Sequence, residues 1–248
     1  MVKNNTKTNL FKKVYHFLVL FISMAGYVPK NATILRTIAM LASLVFAIYL
    51  HDYQPNNSNL AISYFLISEA SYIGFITMVL SKNGLRHWFI RKWGENNGYF
   101  SFEAILGFLF FHNGVSIGYI ASSSPDSLFN FINKDILLIF VTLLFITGFI
   151  AKISAANVVT IEIYYWKDMF LGKKISDFVT KGPYKFFRNP MYGIGQLPAY
   201  AFAIWYGSKY GLMSAFLNQL LIFSFYFLIE KKFIKRVYQK LTPQLVSG

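Results

Sequence analysis

The 248-residue chain is 55% hydrophobic and only 14% charged, far from the roughly 25% charged of soluble domains, which excludes an ordinary water-soluble fold. Its formal net charge of +14 is read as a topology signal in so apolar a chain, and no nucleic-acid partner is expected. The absence of cysteine rules out disulfides and thiolate metal sites.

The N-terminal "MVKNNTKTNLFKK" runs, without an obvious small-residue cleavage site, into "VYHFLVLFISMAGYV" (14–28). Fifteen residues make only about 22 Å of helix, short of the roughly 30 Å hydrocarbon core. Spanning would also leave Lys3, Lys7, Lys12 and Lys13 outside, so an interfacial or partly inserted helix is expected. Six apolar segments then follow, at roughly 34–50, 60–80, 99–121, 135–157, 191–206 and 212–229. Their connections alternate in charge. Segment 51–59 has no Lys or Arg, 81–98 has four, 122–134 has one, 152–190 has seven, and the tail from 230 has five. Basic connections stay inside, so 81–98, 152–190 and both termini are expected on the cytoplasmic face. The tail carries Phe233, Ile234, Val237, Tyr238 and Leu241 at helical spacing. Lys231, Lys232, Lys235, Arg236 and Lys240 lie between them, the pattern of a helix in the headgroup layer. The expected fold is an all-α polytopic transmembrane bundle of about six spans, flanked by the partly inserted N-terminal helix and the amphipathic tail. Residues 1–134 are read as N-terminal transmembrane helices without an assigned role, and 135–248 as a membrane core with the reactive site.

Ionisable residues within spans are expensive and point to sites. Glu103 falls about one turn into its span, Glu162 and Asp168 follow the inner end of the fourth, and Glu230 closes the last. All four converge on one leaflet, although salt bridges to Lys167 or Lys173 are an ordinary alternative for Glu162 and Asp168. Glu69 and His112 lie nearer mid-bilayer, either as an interhelical hydrogen-bonded pair or as unrelated polar residues. No H-E-x-x-H, P-loop or G-x-G-x-x-G pattern occurs, and no metal is expected.

The stretch "GPYKFFRNPMYGIG" (182–195) interrupts helix with Pro183 and Pro190 and supplies Gly182, Gly193 and Gly195 for close backbone approach. Irregular backbone at membrane depth is tolerated where it lines a cavity. Pro190 suits a first helical turn whose free N–H groups face an anion, so the segment reads as a ligand cradle or as a plain connector.

"TKGPYKFFRNPMYGIGQL" (180–197), followed after a hairpin by "FLIEKKFIKRVY" (227–238), resembles the signature of the integral-membrane phospholipid N-methyltransferases and isoprenylcysteine carboxyl methyltransferases. That signature has Gly-Pro, Arg-His-Pro or Asn-Pro with a Tyr two residues on, a helical hairpin, Glu-Glu and a closing Tyr. "YYWKDMFLG" (164–172) is similar to a segment of the phosphatidylethanolamine-methylating branch, and the likeness covers roughly 150–240. The resemblance implies an S-adenosylmethionine site in which Asn189 replaces the His, Tyr192 is the motif Tyr and Glu230 is the first Glu. Arg188 would lie near the cofactor carboxylate or the headgroup, with Gly193 and Gly195 flanking Ile194 where the family has glycine. Lys231 departs from the second Glu. For a lipid amine that must lose a proton before methylation, Asp168, Glu162 and Glu103 are the candidate acceptors. The implied substrate is a membrane lipid, foremost a phosphatidylethanolamine-type amine, with carboxyl methylation of a prenylated cysteine as the alternative. A nicotinamide-dependent steroid-type reductase and a non-catalytic lipid-binding protein are the more distant readings.

Overall fold

The computed structural model describes residues 4–126 and 128–239. Lys3, Lys240 and Leu241, read above as parts of the charge pattern and the amphipathic tail, lie outside the described residues. Every regular element among the described residues is helical: α1 (Asn4–Met24), α2 (Ile34–Tyr53), α3 (Ser58–Leu80), α4 (Arg86–Ser123), α5 (Lys134–Val159), α6 (Ile161–Tyr164), α7 (Lys167–Leu171), α8 (Leu197–Trp205), α9 (Lys209–Phe225) and α10 (Lys231–Ile234). Side chains close the helix starts. Thr33 accepts from Arg36 N–H, Asn57 from Leu60 N–H, Asn133 from Asp135 and Ile136 N–H, and Ser208 from Gly211 N–H.

Among the described residues, five helices are long and apolar enough to cross a membrane: α2, α3, α4, α5 and the 30-residue rod Lys209–Tyr238. The rod is α9 prolonged by a π-helical turn (Tyr226–Glu230), α10 and a second π turn (Lys235–Gln239). Only 6% of the most apolar stretch of α5 is buried, an outward face that water would not tolerate and lipid does. The chain is a polytopic helical membrane protein. The segment expected as a fifth span, 191–206, is different: only nine residues of it, α8, are helical, or about 13 Å. Gly193 N–H turns back to the Asn189 carbonyl (3.0 Å) and Gly195 N–H to that of Pro190 (2.8 Å), so Pro190 opens a knot of turns, and Pro198 occupies the first turn of the helix instead.

α1 enters and leaves at one end of the bundle. Its Leu20 and Met24 pack on Ala156 of α5, and His16 meets Asn157 at 2.9 Å. At its tip Gly26, with φ at 112°, presses its carbonyl onto Gly107 of α4, where a Cβ on either glycine would collide. The chain then returns four residues along α4, to Glu103, before α2 begins. The expectation of a helix that does not cross is matched by this reversal partway along α4.

The tail departs from the headgroup-layer expectation. Phe233 is buried, and Ile234, Val237 and Tyr238 pack on the main apolar cluster, which also holds Tyr72, Phe89, Tyr99, Phe102, Phe170 and Phe225. The apolar face of the tail therefore caps the protein's own core, leaving Lys232, Lys235 and Arg236 exposed.

Candidate functional site

Past α5 the helix ends abruptly at Thr160, whose φ of 71° breaks the rod, and Trp166, at φ 52°, breaks it again before α7. Such conformations are unfavourable for residues with a Cβ and persist only where surrounding packing enforces them. Trp166 is buried edge-on against Phe225, with ring centroids 5.3 Å apart. The two breaks fold 161–171 back beneath the bundle and turn Asp168 inward. Gly172, at φ 70°, caps α7, and Arg86 donates to the Phe170 carbonyl at 3.2 Å, fastening the turn to α4.

A cavity of ≈ 310 Å³ lies between this folded-back segment, the turns of 176–192 and the C-terminal rod. Asp168, Arg188, Asn189, Tyr192 and Glu230 all line it. Tyr192 donates its hydroxyl to Glu230 Oε2 at 2.8 Å. Across the cavity Tyr238 donates to Asp168 Oδ2 at 2.8 Å, and Met169 N–H to Oδ1 at 2.8 Å. Burial pushes the Asp168 carboxyl up, while the Tyr238 hydroxyl and the Met169 N–H pull it partly back. Burial likewise raises Tyr184, helped by the charge of Glu230, which keeps that phenol a hydrogen-bond donor. No ion pair engages Asp168 or Glu230 among the described residues. The result is two carboxylates facing an aromatic chamber without a bound cation of the protein's own.

The remaining sequence candidates fall elsewhere. Glu103 is buried against Arg36 (3.1 Å) and the Asn31 amide (2.9 and 3.0 Å), off the cavity. Glu162 pairs with Lys30 at 3.3 Å. Burial raises its carboxyl, but its own backbone N–H and Lys30 outweigh this and hold it below the usual range. The anticipated pairs to Lys167 and Lys173 do not form: Lys173 meets Glu95 at 2.7 Å, and Lys167 lies over the Tyr99 ring. Gly193 and Gly195 shape the turn behind the cavity. Glu69 and His112 belong to separate networks, Glu69 with Asn113 (2.6 Å) and Asn218 (2.8 Å), His112 with Tyr64 (2.7 Å) and Ser43 (3.0 Å).

Tyr238, read from the sequence as the closing Tyr of the signature and part of the tail's apolar face, proves to be the hydroxyl partner of Asp168. Two residues at the site escaped the sequence reading. Gln219 donates to the carbonyls of Tyr192 (3.0 Å) and Gly193 (3.3 Å) and ties the turn to α9. Trp166 depends on a backbone break that no local signal announces.

No curated protein and no solved structure matches the chain. Residues 136–241 do match a family model, that of the phospholipid methyltransferases, and every residue lining the cavity falls within that segment. Over 136–241, therefore, the chain is similar to the phospholipid methyltransferases.

Proposed function

We propose that the protein is an S-adenosylmethionine-dependent methyltransferase acting on the amine headgroup of a membrane phospholipid. The observation that carries this reading is the pair of carboxylates, Glu230 and Asp168, in an aromatic cavity wholly inside the family segment. When bound, the cofactor supplies a methyl group on a sulfonium. The donor set fits such a group. Glu230, held by Tyr192, would hold the cofactor's cationic group with no Lys or Arg ion pair to displace among the described residues. The rings of Tyr164, Tyr184 and Tyr192 offer cation-binding faces, and Arg188 at the rim suits a carboxylate. Asp168, held above the usual carboxylate range, is placed to accept the proton that an ammonium headgroup must lose. The folded-back segment 161–171 and the tail helix wall off water from the aligned amine. The basic connections support a cytoplasmic position for this end of the bundle.

The test is purified protein in mixed phospholipid vesicles with methyl-labelled S-adenosylmethionine, followed by separation of the extracted lipids. Label in methylated ethanolamine lipid, reduced at least about a hundredfold by Glu230→Gln, is the expected result. Cofactor binding without lipid labelling would redirect the search to other acceptors, and the absence of both would overturn the reading.

A further inference from the structure

Beyond the family cavity lies a second, deeper space. A narrow throat of ≈ 40 Å³ shares Tyr164, Trp166 and Tyr192 with the first cavity. At its other end it shares Tyr72, Phe110, Lys152 and Gln196 with a chamber of ≈ 290 Å³. That chamber adjoins a groove of ≈ 390 Å³ along α4 through Phe110, Gly114, Gly118 and Phe202. From Phe110 to Ser122 the groove follows about 18 Å of helix, comparable to the roughly 15 Å of one leaflet's hydrocarbon.

Two features of this space are costly unless it is filled. Lys152 projects from the apolar α5 into both throat and chamber, its Nζ 5.4 Å from the centre of the Phe110 ring. Among the described residues no hydrogen bond or ion pair holds it. A lone cation at such depth needs an anionic partner. Gly114 and Gly118, one turn apart on α4, have nothing within 4 Å of where a Cβ would stand. Each gives up about 1 kcal/mol of helix propensity relative to Ala yet serves no close helix contact, unlike Gly107 against Gly26. Their absent side chains keep the groove open. Phe21 and Phe202, on its lateral rim, are exposed on the apolar exterior, so the space communicates with the surroundings of the bundle.

We infer that this space is a glycerophospholipid site, with the lipid's phosphodiester on Lys152 and one acyl chain along the Gly114–Gly118 face. The order of the parts fixes the polarity. Acyl chain, phosphate and headgroup amine follow one another from groove to chamber to throat, so the amine arrives beside Tyr192 and the carboxylate cavity. The inference rests on the proposed function for its meaning, but its geometry is independent of the cofactor.

The experiment is calorimetric titration of the full chain in detergent with a short-chain phosphatidylethanolamine, with an alkylamine of matched chain length lacking phosphate, and with inorganic phosphate. Lys152→Met is expected to weaken the phospholipid by about tenfold or more, equivalent to 1.4 kcal/mol, with the alkylamine unchanged. Lys152→Arg should keep the phospholipid within a few-fold, and Gly118→Phe should abolish it while leaving the cofactor's own affinity intact. Equal losses for phospholipid and alkylamine in Lys152→Met would mean a collapsed cavity and overturn the assignment, as would unchanged phospholipid affinity. Inorganic phosphate competing as well as the lipid would reduce the site to a free-anion pocket and overturn it too. A wild-type chain that binds lipid but not S-adenosylmethionine would sink the methyltransferase reading while leaving this one standing.

Discussion

At the scale of single residues the bundle separates two kinds of buried carboxylate. Glu103 is already answered by Arg36 and Asn31, whereas Asp168 and Glu230 are held by hydroxyl and N–H donors alone. Removing the cation from the first kind leaves a stranded charge. Arg36→Met should therefore destabilise the protein by about 3–5 kcal/mol in denaturant titrations, while cofactor affinity stays near wild type. The second kind is tuned by its donors. Tyr238→Phe deletes a hydrogen bond to ionised Asp168 and drives that carboxyl further up, so the acid limb of the methyl-transfer rate should move to higher pH. The linkage sign follows from the same direction. A carboxyl raised on folding adds stability below its unfolded value, and that contribution is lost as pH rises through the folded value. Asp168→Asn should accordingly flatten the pH dependence of the melting temperature across that window. Sequence exposed these acids as rare charges beside apolar runs, but not their partners: Asn31 and Arg36 lie 72 and 67 residues from Glu103, a separation no periodicity reports.

At the scale of elements, the long helices were legible because length and apolarity suffice to define a span. α8 was not. Its sequence carries the apolarity of the expected fifth span, but Gly193 and Gly195 give their N–H groups to Asn189 and Pro190, and the helix starts only at Leu197. The breaks at Thr160 and Trp166 were equally hidden, since neither residue type favours positive φ. What seats α8 is Gly148 of α5: a Cβ there would strike the Pro198 ring and come within 2.8 Å of the Ile194 carbonyl. Gly148→Val should push the 190–197 turns outward and cost about 1–3 kcal/mol. It should also weaken S-adenosylmethionine binding in direct titration, because the displaced turns carry Asn189 and Tyr192 to the cavity.

At the scale of the whole molecule, the alternation of basic and uncharged connections carries a topology expectation, with the basic connections on the cytoplasmic face. The cysteine-free chain allows a direct check. Asn56→Cys and Lys185→Cys, both at exposed positions, should be labelled by an impermeant maleimide from opposite faces, Lys185→Cys from the cytoplasmic one. Labelling of both from the same face would refute the arrangement. Cavities were beyond such a reading, since they are bounded by residues that only packing brings together.

The carboxylate cavity draws every wall from 136–241, while the groove beyond the throat and chamber takes Ala47, His51, Phe111 and both spacer glycines from the first 134 residues. That division sets what selection can vary independently. If the groove receives the proposed lipid, drift in the N-terminal helices would reshape which molecule is accepted without touching the carboxylate cavity, so descendants of this chain could diversify in diet while keeping one chemistry. Chimeras joining a foreign N-terminal half to 135–248 should inherit the acceptor preference of the donor of that half.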